Sequence, residues 1–342
     1  MLNLVVATHG GLYVMMLNSS WEVERSFLVD EGYHYGVTVG HTPGENSTLI
    51  YAYRGGPGRT DKLPRQIRVW KFDGQSVEKV QYHDLNYENG DIHQITQQSQ
   101  GQFLLANSLY NSIDRWNPDQ GVISRFHLNG LNTDVNHVNS VFAVGDLLAI
   151  MLHNFRKLES QIVVLDGSKD ELSELGRFSL KDLCCHNVGI LDHFMYINAS
   201  LAQDIVKIDL RNLREVGRTP FPAHTKGMCS DGNRVYAGMS DCAARAERVR
   251  SNGWVNVIDP ETLQIERTVQ LSETSRGNSI GNVNEIRLLN QEDFFETAGR
   301  VNRETLANSI NVPQNQFAIG VRRTWIAAID RAKLLRRKLG FK

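Results

Sequence analysis

His137-Val138-Asn139-Ser140-Val141-Phe142, then the turn Gly145-Asp146, the apolar run from Leu147 to Leu152 and the segment Ile162-Val163-Val164-Leu165-Asp166, form a unit that returns along the chain. It recurs as His186-Asn187-Val188-Gly189-Ile190, Asp192, Phe194 to Ile197 and Ile205-Val206-Lys207-Ile208-Asp209, and again from His224-Thr225-Lys226-Gly227-Met228 to Val255-Asn256-Val257-Ile258-Asp259-Pro260. Weaker copies start at His34 and His93. The successive histidines stand 59, 44, 49 and 38 residues apart, so the copies differ mainly in their loops. Each copy also holds a fourth strand candidate, such as Val77 to Tyr82 or Leu172 to Phe178. Four short strands divided by polar turns and repeated at tens of residues describe the blades of a β-propeller.

The ends of the pattern supply one more blade. Leu4 to Ala7, Gly11 to Met16 and Val23 to Val29 read as three strands with no repeat start before them, while Asn282-Val283-Asn284-Glu285-Ile286-Arg287 matches the opening of the His137 unit. The expected fold is therefore all-β: a six-bladed propeller over residues 1–290, closed by pairing of its N- and C-terminal segments. Such closure removes open sheet edges. Residues 291–342 are expected to form an extension, partly helical and packed on the propeller. Its end, Val321 to Lys342, has eight basic residues and one acidic one, leaving about −8 on the rest of a chain whose net charge is −1. Two roles are expected for this tail: contact with a second subunit, or peripheral contact with an anionic membrane.

Near-neutral net charge argues against nucleic acid as a partner. The start, Met1 to His9, has no basic segment followed by a long apolar core, no run reaches the roughly 20 apolar residues of a spanning helix, and Cys184, Cys185, Cys229 and Cys242 have no zinc or disulfide spacing. A cytoplasmic protein with free thiols is the expectation. Asp166, Asp209 and Asp259 precede turns and are read as acceptors for backbone N–H groups.

If the segment after each histidine is the innermost strand, its start and the end of the antiparallel next strand lie at one channel mouth. Polar groups at such a mouth need partners, water or a ligand. His93, His137 and His224 are the preferred metal-binding trio, with Glu285 as carboxylate ligand; zinc, manganese or iron rank before calcium. His186 is placed two positions nearer its strand, opposite Asn139. His186, His153, Lys226 and Asp241 are the candidates for acid/base chemistry, and Arg54, Asn107, Asn139, Asn187, Asn198, Asn284 and Arg245 for contacts to a small polar or anionic substrate. Arg245 lies in the insertion from Ser240 to Gly253, which is expected to form a flap over the mouth.

At these repeats, most clearly His137 to Asp166 and His224 to Pro260, the sequence resembles the broad six-bladed propeller group of the gluconolactonase, arylesterase and strictosidine-synthase-like families. The resemblance implies an active site at the channel mouth, often with a divalent ion, and points to Glu285, Asn139, Asn187 and Asn284. The wealth of histidine departs from that pattern and is more similar to the metal sites of propeller lyases. Three functions follow: a metal-dependent lyase or hydrolase acting at the mouth, a metal-free acid/base enzyme, or a non-catalytic propeller that binds a ligand or a protein.

Overall fold

The computed structural model describes residues 2–41, 47–55, 65–85, 91–99, 101–169, 171–273, 278–297 and 303–312. The basic tail and Gly56 to Gly58 lie outside them. Six antiparallel sheets follow one another along the chain, each with its strands in order from the channel outward. The innermost strands are His34–His41, Ile92–Ser99, Val138–Val144, Cys185–Leu191, His224–Ser230 and Val283–Leu288. The last of these pairs with Leu2–Thr8, Val6 facing Ile286 and Leu4 facing Leu288, and completes the sheet of Gly11–Leu17 and Val23–Glu31. The chain is thus the six-bladed propeller that its repeats predict, closed by its two ends.

Burial follows distance from the axis. Every residue of Val138–Val144, Cys185–Leu191 and Val283–Leu288 is buried, whereas the outer strand Val77–Asp84 is largely exposed. An inner strand lies between its neighbours and loses both faces to them. This explains near-continuous apolar runs where a one-sided sheet would alternate. The core accordingly lies between blades: Val5, Leu12 and Val14 of the closing blade pack with Val37, Ile50, Ala52 and Trp70 of the next. At the outer turns, Asp166 Oδ1 accepts the Ser168 N–H (2.9 Å), Asp209 Oδ1 that of Arg211 (3.0 Å) and Asp259 Oδ1 those of Glu261 and Thr262 (both 2.8 Å), the structural role read from the sequence.

The segment after the closing strand covers the far end of the channel. Helix α1 (Phe294–Thr297) lies against the inner strands of four blades, with Phe295 buried over Gly189, and Asp293 Oδ1 accepts the N–H groups of Ser230 (3.1 Å) and Phe295 (3.0 Å). Helix α2 (Arg303–Ser309) buries Leu306 and ties Arg303 to Asp146 at 2.8 Å. Among the described residues no helix is long and apolar enough to cross a membrane. All four cysteines are free, and only Cys242 is exposed.

Candidate active site at the blind channel mouth

Each inner strand carries a β-bulge near its start, at Tyr35-Gly36, His93, Asn139, Asn187, Lys226-Gly227 and Asn284. A bulge re-aims side chains and interrupts the two-residue alternation of a strand. Superposed on their bulges, His137 and His224 are equivalent, but His93 falls two positions later, level with Asn139, Asn187 and Lys226. His186 falls level with Val138, and its neighbour Asn187 takes the place expected for it. The trio His93, His137 and His224 is therefore not a symmetric set.

The rings form a continuous arc at this mouth. Centroid separations are 4.3 Å from His9 to Tyr33, 4.8 Å from Tyr33 to Tyr35 and 4.5 Å from Tyr35 to His93. They continue at 4.6 Å to His137, 5.1 Å to His153, 4.8 Å to His186 and 6.0 Å to His224. His9 and His153 come from the returning loops. His34 is absent from the arc: fully buried, it turns into its blade beside Trp70 and faces Asp30 at 3.1 Å. Tyr33 and Tyr35 flank it and take its place at the mouth.

Lys226 reaches past the closing strand to set its Nζ 4.1 Å from the centre of the Tyr35 ring. It is 9% exposed. Burial, then repulsion by Arg248, lowers the ammonium pKa to about 7, against the pull of Glu285 and Asp91. Five imidazoles, those of His9, His93, His153, His186 and His224, are held neutral by the same environment. Burial first, then positive charge around them, lowers His9 to about 3, His153 to about 2 and His224 to about 4. Burial also brings His93 to about 4, opposed by Asp91, and holds His186 well below the usual histidine range. Burial disfavours ionised Asp91, but His93, 3.5 Å away, then His137 and Arg65 outweigh it and hold the carboxyl at about 2.

Below the arc the channel is sealed by Glu285, 1% exposed. Its carboxylate accepts hydrogen bonds from Asn187 Nδ2 (2.9 Å), Gln94 Nε2 (3.2 Å), the N–H groups of Met228 (3.3 Å) and Ile286 (3.2 Å), and Arg287 (2.7 Å). Gly227 (φ 81°) permits this approach: a Cβ there would meet the Glu285 Cα at 3.0 Å. Among the described residues, Glu285 and α1 lie across the channel on the side away from the histidine mouth.

The expected metal set is not found as a ligand cluster among the described residues. Glu285 faces inward, but protein donors occupy its oxygens. Among the described residues no group of three or more His, Cys, Asp or Glu is placed to hold a metal ion.

The other candidates divide between mouth and scaffold. Asn139 Nδ2 donates to Cys185 O (2.9 Å) and Asn284 Nδ2 to His34 O (2.6 Å), each tying one blade to the next. Asn198 supports Asn187 (3.2 Å), and Asn107 donates to Asp114 (3.2 Å). Arg54 joins Asp30 (3.8 Å), which also binds Arg68 (2.9 Å). Asp241 accepts from the Asn252 N–H (2.9 Å) and Nδ2 (3.0 Å), closing the base of the insertion. That insertion holds a short 3-10 helix, Arg245–Arg250, fastened to the closing strand by the Asn282 N–H on Arg248 O (2.8 Å). Arg245 and Arg248 project positive potential onto His9, Tyr35 and Lys226. Sequence reasoning passed over Tyr33, Tyr35, Asp91, Gln94, Ser200 and Arg287. Only Arg287 announced itself, as a charge alternating with Glu285 in a buried inner strand.

Among the described residues, fold and mouth together define a six-bladed propeller with a histidine-lined channel mouth. Solved structures similar in fold include a chain of the nidogen/laminin complex (10% identity, TM-score 0.58, covering 85% of this chain and 99% of that one) and a Bacteroides caccae protein of unknown function (12%, 0.55, 85% and 99%). A putative 6-phosphogluconolactonase from Bacteroides fragilis is similar at 10% identity and TM-score 0.50, covering 84% and 97%. At such identities the likeness is one of fold alone. No family model and no curated protein matches the sequence.

Proposed function

We propose that this propeller is an enzyme that binds a small anionic substrate at its histidine-lined mouth and acts on it by acid/base chemistry without a metal. The observation that carries the reading is Lys226: a buried amine over Tyr35, ringed by neutral imidazoles, with a pKa near 7. An amine poised at the working pH is an efficient general base, able to take a proton from water in a hydrolysis or from carbon in an elimination. The neighbouring neutral imidazoles donate and accept hydrogen bonds to the substrate, and Arg245 and Arg248 attract and balance the anion.

The test is a panel of small anionic esters, lactones and β-elimination substrates, assayed in chelator. The expected result is turnover rising through pH 7 and abolished in Lys226→Met, with competitive acylation giving Lys226 a pKa near 7. Activity that needs an added metal, or that survives K226M, sinks the proposal. Saturable binding without turnover across the panel favours a ligand-binding propeller.

A further inference from the structure

His153 and His186 are neighbours in the arc, 4.8 Å between centroids, and both are fixed at Nδ1. His186 Nδ1 lies 3.1 Å from Cys184 O and 2.9 Å from Ser200 Oγ. A carbonyl oxygen only accepts, and the Ser200 hydroxyl spends its proton on Thr225 O. Both partners are therefore acceptors, so His186 carries its proton on Nδ1 and leaves a lone pair on Nε2. His153 has the opposite constraint. The Phe155 backbone N–H donates to its Nδ1 at 3.0 Å, which places the proton of the neutral ring on Nε2. Neither Nε2 has a hydrogen-bond partner among the described residues. Because Nε2 is on the ring edge opposite the anchored atom, both are left for whatever enters the mouth.

We infer that His153 and His186 form a donor and acceptor pair with opposite, locked tautomers that seats a hydroxyl group, with Cys184 O fixing the His186 tautomer and Ser200 helping to position its ring. This rests on the small anionic substrate proposed above and adds that its reacting end is a hydroxyl, or a water in the same place. An O–H donates to His186 Nε2 while its oxygen accepts from His153 Nε2–H. A carbonyl or carboxylate oxygen satisfies only His153. Burial supports the locking, since both rings are neutral across the physiological range.

Long-range nitrogen–proton NMR on protein carrying 15N-histidine reads each tautomer directly, with H153Q and H186Q supplying assignments. The expected spectrum of the full chain has an Nδ1–H tautomer at His186 and an Nε2–H tautomer at His153. Ser200→Ala, which leaves only Cys184 O as acceptor, is expected to keep the Nδ1–H tautomer at His186 but to loosen the ring's placement, while His153 stays as it is. Titration then compares glycolate, which has a hydroxyl beside its carboxylate, with acetate, which lacks it. Two hydrogen bonds to otherwise unmet ring nitrogens predict about tenfold tighter glycolate binding, with both Nε2 resonances shifted. In S200A the preference is expected to shrink. The same tautomer at His153 and His186 overturns the pair. Equal affinity for the two acids overturns the hydroxyl seat alone, leaving an anion site; no saturable binding of either overturns the anion reading and the seat with it.

Discussion

Replacing Lys226 with methionine tests the mouth through stability, with no substrate needed. The side chain keeps its length and apolar stem, while the ammonium is removed from an almost fully buried position. The fold lowers that ammonium from 10.5 to about 7. At 1.36 kcal/mol for each tenfold change, holding it charged costs the native state about 5 kcal/mol wherever both folded and unfolded chains are protonated. The folded pKa lies below the unfolded one, so this penalty is complete below pH 7 and fades as the pH climbs towards 10.5. K226M is therefore expected to stabilise the protein by about 5 kcal/mol at pH 6 and by about 2 kcal/mol at pH 9. Urea unfolding followed by tryptophan fluorescence, run on both proteins at both pH values, supplies the comparison. A gain below about 1 kcal/mol at pH 6, or an equal gain at the two pH values, refutes the account of a desolvated amine.

Glu285→Gln removes the carboxylate that answers Arg287 and sets an amide N–H₂ among the donors of Asn187 and Gln94; a loss of about 3–5 kcal/mol is expected in urea unfolding, with at least half restored in E285M/R287M. His9 and His93, at about 3 and about 4 when folded against 6.5 unfolded, contribute stability that is present above pH 6.5 and lost as the pH falls through their folded values. For these two residues the loss between pH 7 and pH 5 is about 4 kcal/mol, and a flat urea midpoint over that range contradicts it. Gly189→Ala drives a Cβ to within 2.4 Å of the Phe295 ring. It is expected to cost about 1–3 kcal/mol and to expose the α1 segment to limited proteolysis, whereas unchanged cleavage speaks against α1 as the cover of the far mouth.

The ring of blades was legible because its cues are local and repeated: a polar start, an apolar strand and an Asp turn, with Asn282 to Arg287 supplying the missing copy. The site was legible only in part. His93, His137, His153, His186, His224 and Lys226 stand at predictable strand ends and do line the mouth. Their mutual alignment was not readable, since one extra residue in each inner strand reverses the alternation that would tell His186 from Asn187. The same bulges turn Asn139, Asn187 and Asn284 into ties between strands distant in sequence, which no spacing rule reveals. Tyr33 and Tyr35 escaped notice for a different reason. They flank the histidine that matches the repeat, and a search keyed to histidine selects His34, the one side chain of the three that turns away.

Closure through Val283–Leu288 also sets an order of events during synthesis. Leu2–Thr8 leaves the ribosome about 280 residues before the strand that will cover its inner edge. At roughly 5–20 residues per second, the first three strands wait on the order of 15–60 s with that edge unsatisfied. The residues that end the wait bring Glu285 and Arg287 with them. A nascent chain can therefore stack its middle blades early, yet it has no floor to its pocket until the ring shuts. Chains interrupted before that point are expected to expose a free apolar edge and to be the preferred clients of chaperones and proteases, so that an open mouth without its buried charge pair does not persist as a stable species.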